Sequence, residues 1–305
     1  MLTKNIFIKN HKQHAGKWIY KGYENAWASH DYSVKLYDRI EEVLEFQDEY
    51  SIMAIDGDIV SDSAIIALSR AQRAYLFAQP NLFPEPWGRH PNFVSRCPDK
   101  SIKIINNLDN VYLWTFSEVN RTFFHKWKEV ATVPLAFDSI SYGPIPDKKY
   151  AFDVCFIGGW ANNGFNEKKK IMLNFFKELK KLKIKHGIFI NKNLTHEQEN
   201  KILHNSKIAI NIHDAYQHAL GLDINERTFK SLGLNGFLIN DNVRQIKTIF
   251  PEELYDIPIA KDPVTMRKLV EFYLDKNLDS IKMYNRQMIS RKHTYSQRVR
   301  EMLSW

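Results

Sequence analysis

The chain has 305 residues, 44% of them hydrophobic and 26% charged, with a formal net charge of +8. This composition suits one large or two ordinary globular domains, and no internal period marks it as a repeat protein. No run approaches the roughly 18 apolar residues of a membrane span, and two cysteines, Cys97 and Cys155, lying in different halves, exclude a disulfide framework.

Met1 to Asn10 has no long apolar stretch and reads as a first strand centred on Ile6 to Ile8, which makes the cytoplasm the expected compartment. Tyr20, Tyr23 and Trp27 recur at helical spacing. Strands are expected at Val34 to Tyr37 and at Ser51 to Ile55, the latter running into Asp56-Gly57-Asp58. A helix over Asp62 to Gln72 and a strand over Ala74 to Ala78 follow. Gln79 to Pro98 is rich in Pro, Asn and Gly and reads as a long loop of the kind that is often functional. Val111 to Phe116 is a strand, Val119 to Trp127 a helix, and Val130 to Phe137 a closing strand.

Ser139 to Lys149, with two prolines and a glycine, is the expected linker. The pattern then restarts: a strand at Val154 to Ile157, Gly158-Gly159, and a helix from Glu167 to Leu182. Strands at Gly187 to Ile190, Ile208 to Ile212 and Phe237 to Ile239 alternate with helices at Glu197 to Asn205 and Asn225 to Leu234. Another amphipathic helix surrounds Leu269, and one long helix is expected over Ser280 to Leu303. Such alternation implies an α/β protein with parallel sheets covered by helices on both faces, built twice. The expected division is 1–140, 141–282 and a terminal helix over 283–305. Ligands of these sheets sit beyond the carboxyl ends of the strands.

Several residues at strand ends are candidates for chemistry. Gly158 and Gly159 lead toward a helix opening with Lys168, Lys169 and Lys170, an arrangement that suits a phosphate or a tight turn before a solvated lysine run. Asn225, Glu226 and Arg227 open the next candidate helix, with Asp223 and Glu226 spaced as a variant capping box. Arg227 is placed either to grip a diphosphate or to pair with a carboxylate. His213 ends a strand, near Asp214 and His218, as a ligand contact or a histidine satisfied by the backbone. His11 and His14 share the loop after the first strand, where a histidine could act as general base; their spacing lacks a third metal ligand. Asp56 and Asp58 read as an acidic turn, a divalent-ion pair or a carboxylate base. Trp87 and Arg89, in the Pro84 to His90 loop, suit acceptor binding or a packed lid. The positive charge fits a lysine-rich surface, a nucleotide diphosphate, an anionic membrane face or nucleic acid.

Asn225, Arg227, Phe229, Gly233, Gly236 and Asp241 together resemble the donor-lobe signature of the CgeB-like glycosyltransferases, a branch of the two-lobed GT-B superfamily. Phe152 to Gly159, Ser206 to His213 and Lys292 to Arg298 resemble that family's first donor-lobe strand, its strand before the donor loop and its closing helix. Lys21 to Trp27 resembles the first helix of many such enzymes, so the likeness is strongest over residues 150 to 305. The resemblance implies two Rossmann-like lobes facing across a cleft, with the last helix crossing back to the first lobe. It also implies transfer of sugar from a nucleotide sugar to an acceptor hydroxyl, such as that of a bacterial surface glycan, without a metal. Gly158, Gly159, Asn225 and Arg227 would hold the diphosphate. The family's usual glutamate after the phenylalanine is here Lys230, so either the donor differs, Glu226 takes its role, or the activity is lost; a lysine beside a diphosphate would still suit an anionic donor, which makes Lys230 a further expected donor contact. Phage-type transfer to a DNA base, a binding protein that keeps the fold, and a metal-dependent single-lobe transferase using Asp56 and Asp58 are the competing expectations.

Overall fold

The computed structural model describes residues 4–12, 14–78, 97–117, 124–160, 167–222, 224–252 and 255–305. It divides into two compact units, Met1–Pro134 with Tyr295–Trp305, and Leu135–Thr294.

The first unit is built on a six-stranded parallel sheet. Its strands are β1 (Lys4–Lys9), β2 (Tyr32–Tyr37), β3 (Tyr50–Ile55), β4 (Ala74–Phe77), β5 (Val111–Thr115) and β6 (Ala131–Thr132), in the order β2-β1-β3-β4-β5-β6. Alternation with period two explains why both faces are covered. Phe7, Ile52, Leu76 and Leu113 point into one core with Ile65 and Leu68 of α2 (Asp62–Arg70) and Ile102 of α3 (Asp99–Ile105). On alternate positions, Tyr75 and Trp114 meet Trp27 and Tyr23 of α1 (His14–Ala28).

The second unit carries a five-stranded parallel sheet. β7 (Val154–Gly158), β8 (His186–Ile190), β9 (Ile208–Asn211), β10 (Leu238–Asp241) and β11 (Ile259–Ala260) lie in the order β11-β10-β9-β7-β8. Its helices are α4 (Lys168–Leu179), α5 (His196–Asn205), α6 (Ala215–Leu220), α7 (Glu226–Leu234), α8 (Gln245–Ile249), α9 (Pro263–Leu274) and α10 (Asp279–Lys292). Val154, Phe156, Ile208, Ile210 and Ile239 bury one face of the sheet against Met172 and Phe176 of α4 and Met266 and Val270 of α9.

Both sheets follow one plan. The second strand lies on one side of the first and the third strand on the other, which creates a crevice at their carboxyl ends where open α/β sheets bind ligands. These points fall between β1 and β3 in the first unit and between β7 and β9 in the second.

Three expectations are corrected. The strand expected over Val130 to Phe137 joins the six-stranded sheet only at Ala131 and Thr132, because Pro134 has no N–H to continue the ladder; Phe137 makes an isolated bridge to Thr294 instead. The Ser139 to Lys149 stretch is not a free tether but packs on α5. Tyr142 is buried and donates to Glu199 Oε2 at 2.9 Å, and Asn205 Nδ2 donates to the Ile145 carbonyl at 2.8 Å. The long terminal helix is two helices, α10 and α11 (Tyr295–Leu303), broken at His293 with φ −130° and ψ 43°. There the His293 carbonyl accepts from Phe137 N at 2.8 Å, and its ring packs on Phe229, Phe250 and Tyr255. Tertiary packing overrides a helical period that runs through the break.

α11 belongs to the first unit. Tyr295 packs on Tyr23 with ring centroids 4.8 Å apart, and Arg298 Nε donates to the Pro134 carbonyl. The approach is close enough that a Cβ on Gly22 would lie 2.3 Å from the Tyr295 ring.

Candidate functional site

The crevice of the second unit is framed by Gly158 at the end of β7 and Asn211 at the end of β9. α7 places its N-terminus beside them. Asn225 is its N-cap, with Oδ1 accepting from Thr228 N at 3.2 Å. The cap expected from Asp223 therefore falls two residues later; Asp223 itself lies outside the described residues. Buried Asn211 joins the parts. Its Nδ2 donates to Asn225 Oδ1 at 3.0 Å, Thr228 Oγ1 at 2.9 Å and Asn240 Oδ1 at 2.9 Å. Its Oδ1 accepts from Arg227 Nη1 at 2.9 Å.

Arg227 is the half-buried centre of this arrangement. Its guanidinium lies 4.8 Å from the Phe156 ring centroid, and Nη1 also reaches the Ile212 carbonyl at 3.4 Å. Among the described residues no carboxylate lies within 4.0 Å of it, so the expected alternative of a carboxylate partner is not what holds it. Lys168, the first residue of α4, is 7% exposed and pairs with Asp214 Oδ1 at 2.7 Å. Burial pushes the pKa of both cations down; the Arg227 charge lowers that of Lys168 further, while Asp214 opposes the effect. An anion entering the crevice would relieve both penalties.

The two glycines make room for side chains. A Cβ on Gly158 would lie 2.4 Å from Arg227 Nη2, and one on Gly159 would lie 1.9 Å from Asn191 Oδ1, which accepts from Trp160 N. Gly158→Ala is therefore expected to push the guanidinium aside. Affinity for an anionic ligand should fall about tenfold, roughly 1.4 kcal/mol, with little change in melting temperature. Unchanged binding by calorimetry would show that Arg227 adapts without cost.

Two expected ligand contacts are corrected. His213 is fully buried. Its Nδ1 lies 2.5 Å from Asp241 Oδ1, and its Nε2 accepts from Asn225 N at 3.3 Å, so neither ring nitrogen is open to a ligand. Lys230 is 5% exposed and is engaged in an ion cluster. Its Nζ lies 2.9 Å from Glu199 Oε2 and 3.5 Å from Glu226 Oε2, over the ring of Tyr142. Burial raises the Glu226 pKa, against the pull of Lys230.

The first unit's crevice gathers a different set. His11 stacks on Tyr20 at 4.0 Å between centroids, with Gly16 behind it. Burial and the neighbouring Lys9 lower its pKa to about 4, so it is neutral at pH 7. Asp58 Oδ1 pairs with Lys9 at 3.1 Å, while Oδ2 is buried without a hydrogen-bond partner among the described residues. Burial raises the Asp58 pKa, with Lys9 opposing. Asp56 is buried beside it. His14 opens α1; its side chain, and Trp87 and Arg89, lie outside what is described. Among the described residues no three His, Cys, Asp or Glu side chains converge as metal ligands, and no helix is long and apolar enough to cross a membrane.

Residues 148–304, just over half of the chain, match a family described as glycosyl transferase-like. The chain belongs to this glycosyl transferase-like family. No curated protein matches it. The matched span contains the whole Arg227 crevice.

Arg227, Asn225, Gly158 and Lys168, singled out in the sequence, lie at or beside this crevice, whereas Asn211, Asn191, Glu199 and Tyr142 were not singled out. Asn211 carried a signal: it is a polar residue closing an apolar strand, where ligand contacts gather. Glu199 and Tyr142 lie far from Lys230 in sequence and carried none.

Proposed function

We propose that this glycosyltransferase takes sugar from a nucleotide diphosphate donor held at the β7/β9 crevice, as a CgeB-like member of the GT-B superfamily. The observation that carries the reading is Arg227, a half-buried guanidinium at the topological switch point with no carboxylate within 4.0 Å among the described residues. The bond from the anomeric carbon to the diphosphate breaks as the acceptor oxygen attacks, and negative charge collects on the leaving diphosphate. Arg227, the nearby Lys168 ammonium and the N-terminus of α7 stabilise that charge, which removes the need for a metal.

The acceptor hydroxyl is assigned to the β1/β3 crevice of the first unit. Asp58 is the preferred base, since one of its oxygens is unengaged among the described residues and burial raises its pKa; His11 contacts the acceptor as a neutral imidazole. A surface glycan fits this edge better than DNA. Lys9 and Lys12 are already paired with Asp58 and Asp38, which withholds their charge from phosphates.

Calorimetric titration with UDP, GDP, CDP and ADP, with and without Mn²⁺, tests the reading. One of them is expected to bind without metal, which would also name the donor base. Failure of all four, or binding only with Mn²⁺, would overturn it.

A further inference from the structure

Asp241 is fully buried at the end of β10, yet it accepts three hydrogen bonds. Its Oδ2 takes His213 N at 2.6 Å and His218 Nε2 at 2.8 Å, and its Oδ1 takes His213 Nδ1 at 2.5 Å. His218 Nδ1 donates in turn to the Asn242 carbonyl at 3.1 Å, so both its nitrogens carry protons and the ring is an imidazolium. Burial would lower the His218 pKa, but Asp241 outweighs it and the pKa is raised.

His213 must then be the opposite species. Its Nε2 accepts from Asn225 N at 3.3 Å, which requires the neutral tautomer with the proton on Nδ1, facing Asp241. The charged groups around it are Asp241 on β10, Lys168 on α4 and His218 on α6. Burial and the two cations hold its pKa below the ordinary histidine range.

From Asn225 the connection continues. Its Oδ1 caps α7 and accepts from Asn211, whose own Oδ1 accepts from Arg227 Nη1. Each bond has a fixed donor and a fixed acceptor, so the direction of the proton on His213 is felt along the chain.

We infer that Asp241 and His213 are positioning residues that fix the N-terminus of α7, and through Asn225 and Asn211 the Arg227 guanidinium, by selecting one histidine tautomer. The inference rests on the reading of Arg227 as the diphosphate anchor. Neither residue touches substrate; each acts through the hydrogen bonds that end on Arg227.

Asp241→Asn separates this role from simple packing. The amide oxygen must face His213 N and His218, so the amide nitrogen faces His213 Nδ1 and donates to it. The imidazole proton then moves to Nε2, where it meets the Asn225 N–H donor to donor. With whichever of UDP, GDP, CDP and ADP binds the wild type most tightly, Asp241→Asn is expected to weaken binding at least about tenfold, roughly 1.4 kcal/mol. ¹⁵N shifts of the His213 ring are expected to report a proton moved from Nδ1 to Nε2.

A tautomer change with unchanged affinity would overturn the inference, and so would an unchanged tautomer. If Asp241→Asn fails to fold, a second pair decides. His213→Gln, whose amide oxygen can still accept from Asn225, is expected to keep most of the affinity, and His213→Leu to lose it; equal affinities would overturn the inference. Arg227→Ala distinguishes the two readings. If it leaves binding intact, the anchor reading fails and this inference with it; if it abolishes binding while the histidine variants do not, only this inference fails.

Discussion

Arg227→Ala is expected to weaken nucleoside diphosphate binding by about 100-fold or more, because truncating one partner of a buried charged contact typically costs 2–5 kcal/mol. The same change should leave the melting temperature unchanged or slightly raised. The guanidinium is half buried with no carboxylate within 4.0 Å among the described residues, so the unliganded fold carries its desolvation without an ion-pair return. Weaker binding with undiminished stability is the signature of a group kept for its ligand. Arg227→Lys keeps the charge but not the planar fork, and should recover only part of the affinity. Calorimetry beside thermal unfolding checks both halves. A large drop in melting temperature would mean that Arg227 serves the fold instead.

Lys230→Glu has the largest expected effect on stability. It would put a third carboxylate beside Glu199 and Glu226, where Lys230 now lies 2.9 Å and 3.5 Å from them. All three sites are at least largely enclosed, with side-chain exposures of 6%, 8% and 12%. Breaking a buried pair so that a charge is left uncompensated costs about 3–5 kcal/mol. Tyr142 adds to the loss, since its hydroxyl donates to the same Glu199 oxygen. Urea unfolding should show the drop. The exchange Lys230→Glu with Glu199→Lys should recover most of it, which a merely steric fault would not allow. Lys230, at the position where the resemblance implies a glutamate, is therefore locally compensated by Glu199 and Glu226.

The fold was largely legible because its signals are local. Ile6 to Ile8, Ser51 to Ile55 and Ile208 to Ile212 are short apolar runs bounded by polar turns, and each is a strand. The candidate site was legible where a residue does one local job, as Asn225 does in capping its helix. What escaped depends on partners remote in sequence. Lys230 looks like a phosphate ligand until Glu199, on another helix, is beside it. His213 looks like a ligand contact until Asp241 and Asn225 occupy its two nitrogens. The break at His293 was invisible because apolar residues keep their helical spacing across it, while Tyr255 and Phe137 that stabilise it come from elsewhere.

The return of Tyr295–Trp305 to the first unit sets an order of events during synthesis. The first unit is begun first and completed last. Its α1 face, with Tyr23 and Gly22, lacks its covering helix until Tyr295–Trp305 has emerged from the ribosome. The second unit, continuous from Leu135 to Thr294, has all its own strands well before that moment and can condense while its neighbour is still open. A chain stalled or clipped before Tyr295 would thus carry a condensed second unit attached to an unsealed first one, with the aromatic face around Tyr23 and Trp114 left for chaperones or aggregation to find.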